Sequence, residues 1–312
     1  MNLKYLFAAV LLLFTHLYSK AQGPQGATGE TMWQFLYQIS ASDSINPVSN
    51  LGLAAIAFNG KEYWVAEWNT NVFHRLNVAG QKLQSFTIPD QNGNAIVGTR
   101  GIAWDGSYFY LSNNTNTIYK VDTLNRQTQA IINAPDQVRT LAYDPNADNG
   151  QGGFWIGNWG PPGPDDGPLM QIDLSGNTLR QIPSSVHQLS GNYGLAYDGS
   201  SPGGPYLWAS DQSGSGASIV QLDLSDGTQM SNQRDINVLL GIFGAAGGIF
   251  IADNHPDYPN QRVLGGLIQE DPDIIFGLEL DFELLQIDAF LSDIRPNSPY
   301  RIVPGNHLDQ LS

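Results

Sequence analysis

The sequence predicts an all-β fold, a β-propeller of five four-stranded blades closed by an N-terminal strand, with six blades as the alternative if residues 284–303 contribute strands. Three observations carry this reading. The first is composition: 34 Gly, 18 Pro and 11% aromatic residues among 312, with only 14% charged, describe a turn-rich, aromatic-rich chain poor in helix-filling residues. The second is an internal repeat, a short apolar strand ending on an aromatic residue, then Asp or Asn, then usually Gly, which recurs every 39 to 54 residues. The third is period-2 patterning within each repeat, which excludes helical solenoids.

Each repeat reads as four strands. The first copies are Ile56-Ala57-Phe58-Asn59-Gly60, Ile102-Ala103-Trp104-Asp105-Gly106, Leu141-Ala142-Tyr143-Asp144 and Leu195-Ala196-Tyr197-Asp198-Gly199. A second aromatic strand follows each: Tyr63-Trp64-Val65-Ala66, Phe109-Tyr110-Leu111-Ser112, Phe154-Trp155-Ile156-Gly157 and Leu207-Trp208-Ala209-Ser210. A third alternates toward Asp or Asn, as in Phe73 to Asn77 and Ile219 to Asp223, and a fourth, more polar strand runs from Gln81 to Ile88 in one unit and Thr178 to Ile182 in another. Asp-Gly, Ser-Gly and Ala-Gly turns favour hairpins, so each unit is a meandering antiparallel sheet. One such sheet cannot bury both faces; radial stacking buries them, and small Ala on one side of strand one against Trp, Tyr or Phe on the other suits a propeller blade. A fifth unit, Gly244 to Leu280, supplies three strands and then the period stops. The segment Met32 to Ile39 is a strand with no blade of its own, and it is expected to complete the last sheet as its outer strand, removing the open edges of the array.

Residues 1–21 carry Lys4, an apolar run from Leu6 to Phe14 and the small-x-small sequence Ser19-Lys20-Ala21, the pattern of a secretory signal peptide cleaved before Gln22. The run is short for a bilayer span, which takes about 20 residues. Residues 22–31, with glycine at every third position from Gly23 to Gly29, form a flexible leader, since two triplets cannot hold a triple helix. The propeller occupies residues 32–283 and a C-terminal extension residues 284–312. The formal charge of −15 becomes −17 once two lysines leave with the signal peptide, so a phosphate backbone is repelled and nucleic acid is excluded as a partner. With no cysteine, disulfides, thiolate nucleophiles and Cys-type metal sites are excluded too.

The motifs Gly101-Ile-Ala-Trp-Asp-Gly106, Gly152-Gly-Phe-Trp-Ile-Gly-Asn-Trp159, Gly203-Gly-Pro-Tyr-Leu-Trp208, Ala246-Gly-Gly-Ile-Phe-Ile251 and Leu264-Gly-Gly-Leu-Ile-Gln269 give the chain, over residues 33 to about 281, a resemblance to a family of secreted bacterial β-propeller repeat proteins of largely unassigned function. That resemblance implies an immunoglobulin-like module and a C-terminal sorting signal after the propeller. Phe290 to Gly305 looks like the first strand and turn of such a module, and the chain reaches Ser312 ahead of any export signal.

In a propeller the start of strand one lies on the same face as the end of strand two. Aligning the repeats on that rule brings Ala54, Arg100, Arg139, Tyr193 and Phe243 together with Glu67-Trp68, Asn113-Asn114, Asn158-Trp159 and Asp211-Gln212. Two guanidiniums, two indoles, a phenol, two carboxylates and several amides make a funnel suited to a sugar or a peptide-like ligand, with the arginines gripping a carboxylate. The competing structural reading pairs Arg100 and Arg139 with Glu67 and Asp211 and assigns the tryptophans to blade packing. The expected partner is thus an extracellular glycan, peptide or protein, bound by a non-catalytic module.

Asp144, Asn146 and Asp148, followed by Gly150, resemble the opening of a calcium loop, but position 12 is Trp155 rather than a bidentate Glu, so an enlarged Asx turn competes with a metal site. No catalytic residues are assigned: the mature histidines His74, His187, His255 and His307 are scattered, there is no His-Glu-x-x-His or Gly-x-Ser-x-Gly, and the acidic neighbours Asp165-Asp166 and Glu270-Asp271 lie in Gly/Pro turns. The enzymatic alternative is a calcium-dependent lactonase-like propeller in which Glu67, Asn113, Asn158 and Asp211 supply the ligands. It is an analogy of fold, and fold does not determine function.

Overall fold

The computed structural model describes residues 33–46, 52–158, 167–213 and 216–280. The signal peptide, the leader and the C-terminal extension fall outside the described residues, as do Trp159 and the Asp165-Asp166 pair.

Five four-stranded antiparallel sheets form a five-bladed β-propeller, and the six-blade alternative is set aside. Blade 1 runs outward as β2 (Leu53–Phe58), β3 (Glu62–Glu67), β4 (Phe73–Asn77) and β5 (Lys82–Phe86). Blade 2 is β6 (Gly101–Trp104), β7 (Tyr108–Ser112), β8 (Thr115–Asp122) and β9 (Thr128–Val138). Blade 3 is β10 (Thr140–Asp144), β11 (Gly153–Gly157), β12 (Leu169–Asp173) and β13 (Thr178–Ile182). Blade 4 is β14 (Asn192–Asp198), β15 (Tyr206–Ser213), β16 (Gly216–Asp223) and β17 (Gln229–Asp235). Blade 5 is β18 (Ala245–Ala252), β19 (Val263–Gln269) and β20 (Ile274–Glu279), and its outer strand is β1 (Phe35–Ser40), paired antiparallel to β20 from Phe35 opposite Leu278 to Ser40 opposite Ile274. The ring therefore closes as expected from the orphan strand at residues 32–39.

Five buried apolar clusters, one in each wedge between neighbouring blades, hold the ring together. Ala57 of β2 and Trp104 of β6 share the cluster between blades 1 and 2, as Ala103 and Tyr143, Ala142 and Tyr197, and Ala196 and Ile251 share those of the next three wedges. This is the packing reason for the small-then-aromatic order of the repeat. Trp64, Trp155 and Trp208 of the second strands are fully buried, as read from their blade spacing. At closure Trp33 meets Trp208 edge to face, centroids 5.1 Å apart.

The Asp of the repeat has a structural task. Asp198 Oδ1 accepts the Ser200 and Ser201 amides of the hairpin turn while Oδ2 accepts the buried Trp208 indole at 3.1 Å. Asp144 repeats this with the Asn146 amide (2.9 Å) and the Trp155 indole (3.1 Å), adding Gln171 at 2.7 Å. Asp105 takes the Ser107 and Tyr108 amides and the Tyr110 hydroxyl. Buried indole donors need an acceptor, and one carboxylate serves both the turn and the ring.

Candidate functional site

The first strands β2, β6, β10, β14 and β18 line a central channel. At its upper mouth they begin and the second strands end: Leu53 pairs with Glu67, Gly101 with Ser112, Thr140 with Gly157 and Asn192 with Asp211. The backbone amides of Arg100 and Arg139 donate to Ser112 and Gly157 one step before their strands begin. The strand ends aligned from the sequence therefore meet at one mouth of the channel in blades 1 to 4.

Each arginine crosses to a neighbouring blade. The guanidinium of Arg100 lies 4.6 Å from the Trp68 ring centroid of blade 1, and that of Arg139 lies 4.3 Å from the Tyr193 ring of blade 4. Trp68 is 40% exposed, an indole left in solvent at the mouth rather than in a blade core. It sits over Gly52, whose φ of +62° and whose place, 2.6 Å from the indole nitrogen for any added Cβ, require glycine. Burial lowers the pKa of Arg100; burial and the nearby Arg100 charge lower that of Arg139, so two like charges share a partly dry mouth.

The pairing of these arginines with Glu67 and Asp211 does not occur. Glu67 Oε1 meets His74 Nε2 at 3.0 Å and Oε2 accepts from Thr70 Oγ1 at 2.7 Å, while Asp211 Oδ1 accepts the Gly191 amide at 2.7 Å. Glu67 is held by His74 of the adjacent β4 and by Thr70 of the loop between β3 and β4, and Asp211 by the Gly191 amide just before β14, so short local contacts win over a long side chain reaching across the channel. Burial pushes the Asp211 carboxyl above its ordinary value against the Gly191 and Ser190 amides. Burial also lowers the pKa of His74 despite its Glu67 partner, favouring the neutral imidazole, and His74 Nδ1 meets Ser85 Oγ at 2.9 Å. Among the described residues no carboxylate lies within ion-pair distance of Arg100.

The remaining funnel residues are anchored amides. Asn113 bonds Val97 O and Thr115 Oγ1, Asn158 donates to Gln137 Oε1, and Gln212 accepts the Ala246 amide. Phe243 is 77% exposed and Ala54 is buried in β2. Among the described residues no three His, Cys, Asp or Glu side chains gather in a way that would hold a metal ion. In the Asp144 loop, Asn146 N donates to Asp144 Oδ1, the contact of an Asx turn, and Asp148 and Asn149 take left-handed backbone angles. Asp144 is itself buried and engaged by Trp155 and Gln171.

The lower mouth, where the first strands end, holds a feature that the polar alignment missed. A cavity of about 250 Å³ opens there, rimmed by Trp104, Tyr143, Tyr197 and Ile251 at equivalent positions of four blades and by Asn146 and Ser200 from turns. Its signal was present in the repeat, in the aromatic residue that ends strand one, which is both a wedge between blades and part of the channel wall. Arg262 of blade 5 closes one side, bonding Asp198 Oδ1 at 2.7 Å, Asp253 Oδ1 at 2.9 Å and Ser201 Oγ at 2.9 Å.

Comparison with known proteins gives a likeness of fold. The chain is similar to the crystal structure of Myxococcus xanthus glutaminyl cyclase, with a TM-score of 0.55 and 13% identity over 80% of this chain and 96% of that one. It is also similar to Kuenenia stuttgartiensis hydrazine synthase, with a TM-score of 0.40 and 15% identity over 71% of this chain and 57% of that one. No family model matches the chain. No curated protein matches it.

Proposed function

We propose that this β-propeller is a secreted, non-catalytic binding module that takes an acidic group of an extracellular glycan or peptide at the upper mouth of its channel. The observation that carries the reading is Arg100, half-buried on the Trp68 indole with no described carboxylate in ion-pair reach, in a chain of formal charge −15. A cation with no described carboxylate partner in so acidic a chain is electrostatically poised for an external anion, and guanidinium forks match carboxylate geometry. The flanking Trp68 and Tyr193 rings offer stacking area, and Asn113 and Asn158 offer fixed amides. Secretion is supported by the signal-peptide pattern of residues 1–21 and by the extracellular character of the family that the repeat motifs resemble.

The test is a binding screen of the purified mature protein against acidic and neutral oligosaccharides and against peptides, at two salt concentrations. A retained acidic ligand whose affinity falls with salt and is lost in Arg100→Ala supports the reading. Binding indifferent to Arg100 overturns the site, and cyclisation of a glutaminyl peptide by the protein overturns its non-catalytic character.

A further inference from the structure

We propose that the lower mouth is a second, independent ligand site for an uncharged hydroxylated ring the size of a monosaccharide. Size comes first. A dry cavity of about 150 Å³ accommodates benzene, so the 250 Å³ here has room for roughly ten non-hydrogen atoms, most of the twelve of one hexose with the remainder at the open mouth, and not for a chain of sugars.

The walls select chemistry. Ile102, Leu141, Leu195 and Ile249 form the apolar inner part, and Trp104, Tyr143 and Tyr197 the rim. Each blade's first strand has its channel-side edge unpaired, so backbone donors and acceptors also face the opening. Asn146 gives its Nδ2 to the Tyr197 hydroxyl at 3.0 Å, which fixes the amide and leaves its Oδ1 as an acceptor. The Tyr143 hydroxyl carries no hydrogen bond among the described residues, and Ser200 Oγ stands exposed at the edge. These groups both donate and accept, as a ring bearing several hydroxyls requires.

Charge excludes the alternatives. Arg262 is already bridged between Asp198 and Asp253, so an acidic ligand meets no uncommitted cation there and two carboxylates. The guanidinium offsets one of the two carboxylates and Asp253 is exposed, so water screens what charge remains toward a cationic ligand. Asp198 is pushed up by burial, but hydrogen bonds from Ser201 and Arg262 outweigh this and hold its carboxyl low, so the pair stays ionised at neutral pH. The site is thus opposite in character to the upper mouth.

The experiment is titration calorimetry of the mature protein with methyl α-D-glucopyranoside and methyl β-D-galactopyranoside, with D-glucuronate as the acidic counterpart. Variants are Tyr143→Phe and Asn146→Ala, each removing one polar contact, and Ser200→Trp, which blocks the mouth from an exposed turn. Melting temperature of each variant reports whether the fold persists. The expected result is binding of at least one neutral glycoside, weakened about three- to tenfold by each polar deletion and abolished by Ser200→Trp, with Arg100→Ala unaffected. Binding of neither glycoside, binding that survives Ser200→Trp in a folded protein, loss on Arg100→Ala, or equal binding of glucuronate at this mouth would each overturn the proposal.

Discussion

The two mouths of the channel spend their charges in opposite ways. At the lower mouth every repeat Asp is committed: Asp105, Asp144 and Asp198 each hold a turn and a buried aromatic donor, and Asp198 also holds Arg262. At the upper mouth Glu67 and Asp211 serve local loops, Arg100 rests on an indole instead of a carboxylate, and the fully buried Asp273 has no cation beside it among the described residues. Satisfied charge stabilises a fold, whereas unsatisfied charge costs stability until something else meets it. The lower mouth is therefore where charge holds the ring together, and the upper mouth is where Arg100 is left for a partner and Asp273 is held at a cost.

The largest effect should come from the lower mouth. Asp198→Ala removes the acceptor for the Trp208 indole and two turn amides and takes from Arg262 its buried carboxylate partner, leaving the exposed Asp253 as its described ion pair. Breaking a buried pair in this way typically costs about 3–5 kcal/mol, and chemical denaturation should show it. A loss below about 1 kcal/mol would mean that the carboxylate is not what holds this mouth, and the contrast between the two ends would fail.

The next effect belongs to the upper mouth and to pH. Burial pushes the Asp273 carboxyl up to about 6, against the amides of Leu53, Glu270 and Gly52 and with the Asp271 charge adding to the rise. Its Oδ1 is buried without a hydrogen-bond partner among the described residues. Because the folded form holds this proton more tightly than the unfolded chain, the contribution of this group to stability is greatest below pH 4 and falls as pH rises toward 6. At about 1.4 kcal/mol per unit the loss approaches roughly 3 kcal/mol. Asp273→Asn should flatten that slope, so the stability difference between variant and parent should grow in the variant's favour from pH 4 to 7. A difference that stays constant with pH would show that Asp273 is not the unpaired charge it is taken for.

How much of this was legible follows from what a repeat can express. Blade number, the closing strand at residues 32–39 and the buried Trp64, Trp155 and Trp208 are all local or periodic, and periodicity survives in a linear string. The funnel positions were legible because strand ends align in register. Their partners were not: Arg100 stacking on Trp68 and Arg139 on Tyr193 are contacts between blades, set by the curvature of the ring, and nothing in the spacing of 68 and 100 records them. The lower cavity was hidden for another reason. Trp104, Tyr143 and Tyr197 had a sufficient explanation as packing residues, and only the closed ring shows that their rims also enclose space.

A smaller effect isolates Trp68. Gly52→Ala places a Cβ against the indole at a left-handed backbone position, which costs about 1–2 kcal/mol for a side-chain-bearing residue and dislodges the ring from under Arg100. Any acidic ligand of the upper mouth should then bind more weakly than this stability loss alone explains, measured at a temperature where the variant is fully folded. Unchanged affinity would detach Trp68 from the site.

The smallest stability change is the most telling. Arg100 is half-buried, lies over an indole and makes no described ion pair, so Arg100→Ala gives up a cation–π contact of about 0.5–1 kcal/mol. It also relieves repulsion on Arg139, whose pKa the Arg100 charge depresses, so the two contributions oppose each other and the melting temperature should barely move. If Arg100 instead anchored the ring as Arg262 does, its removal would cost several times more. A near-neutral change in stability together with a large loss of ligand affinity is the pattern of a residue kept for binding, and a loss of stability like that of Asp198→Ala would make the two mouths alike.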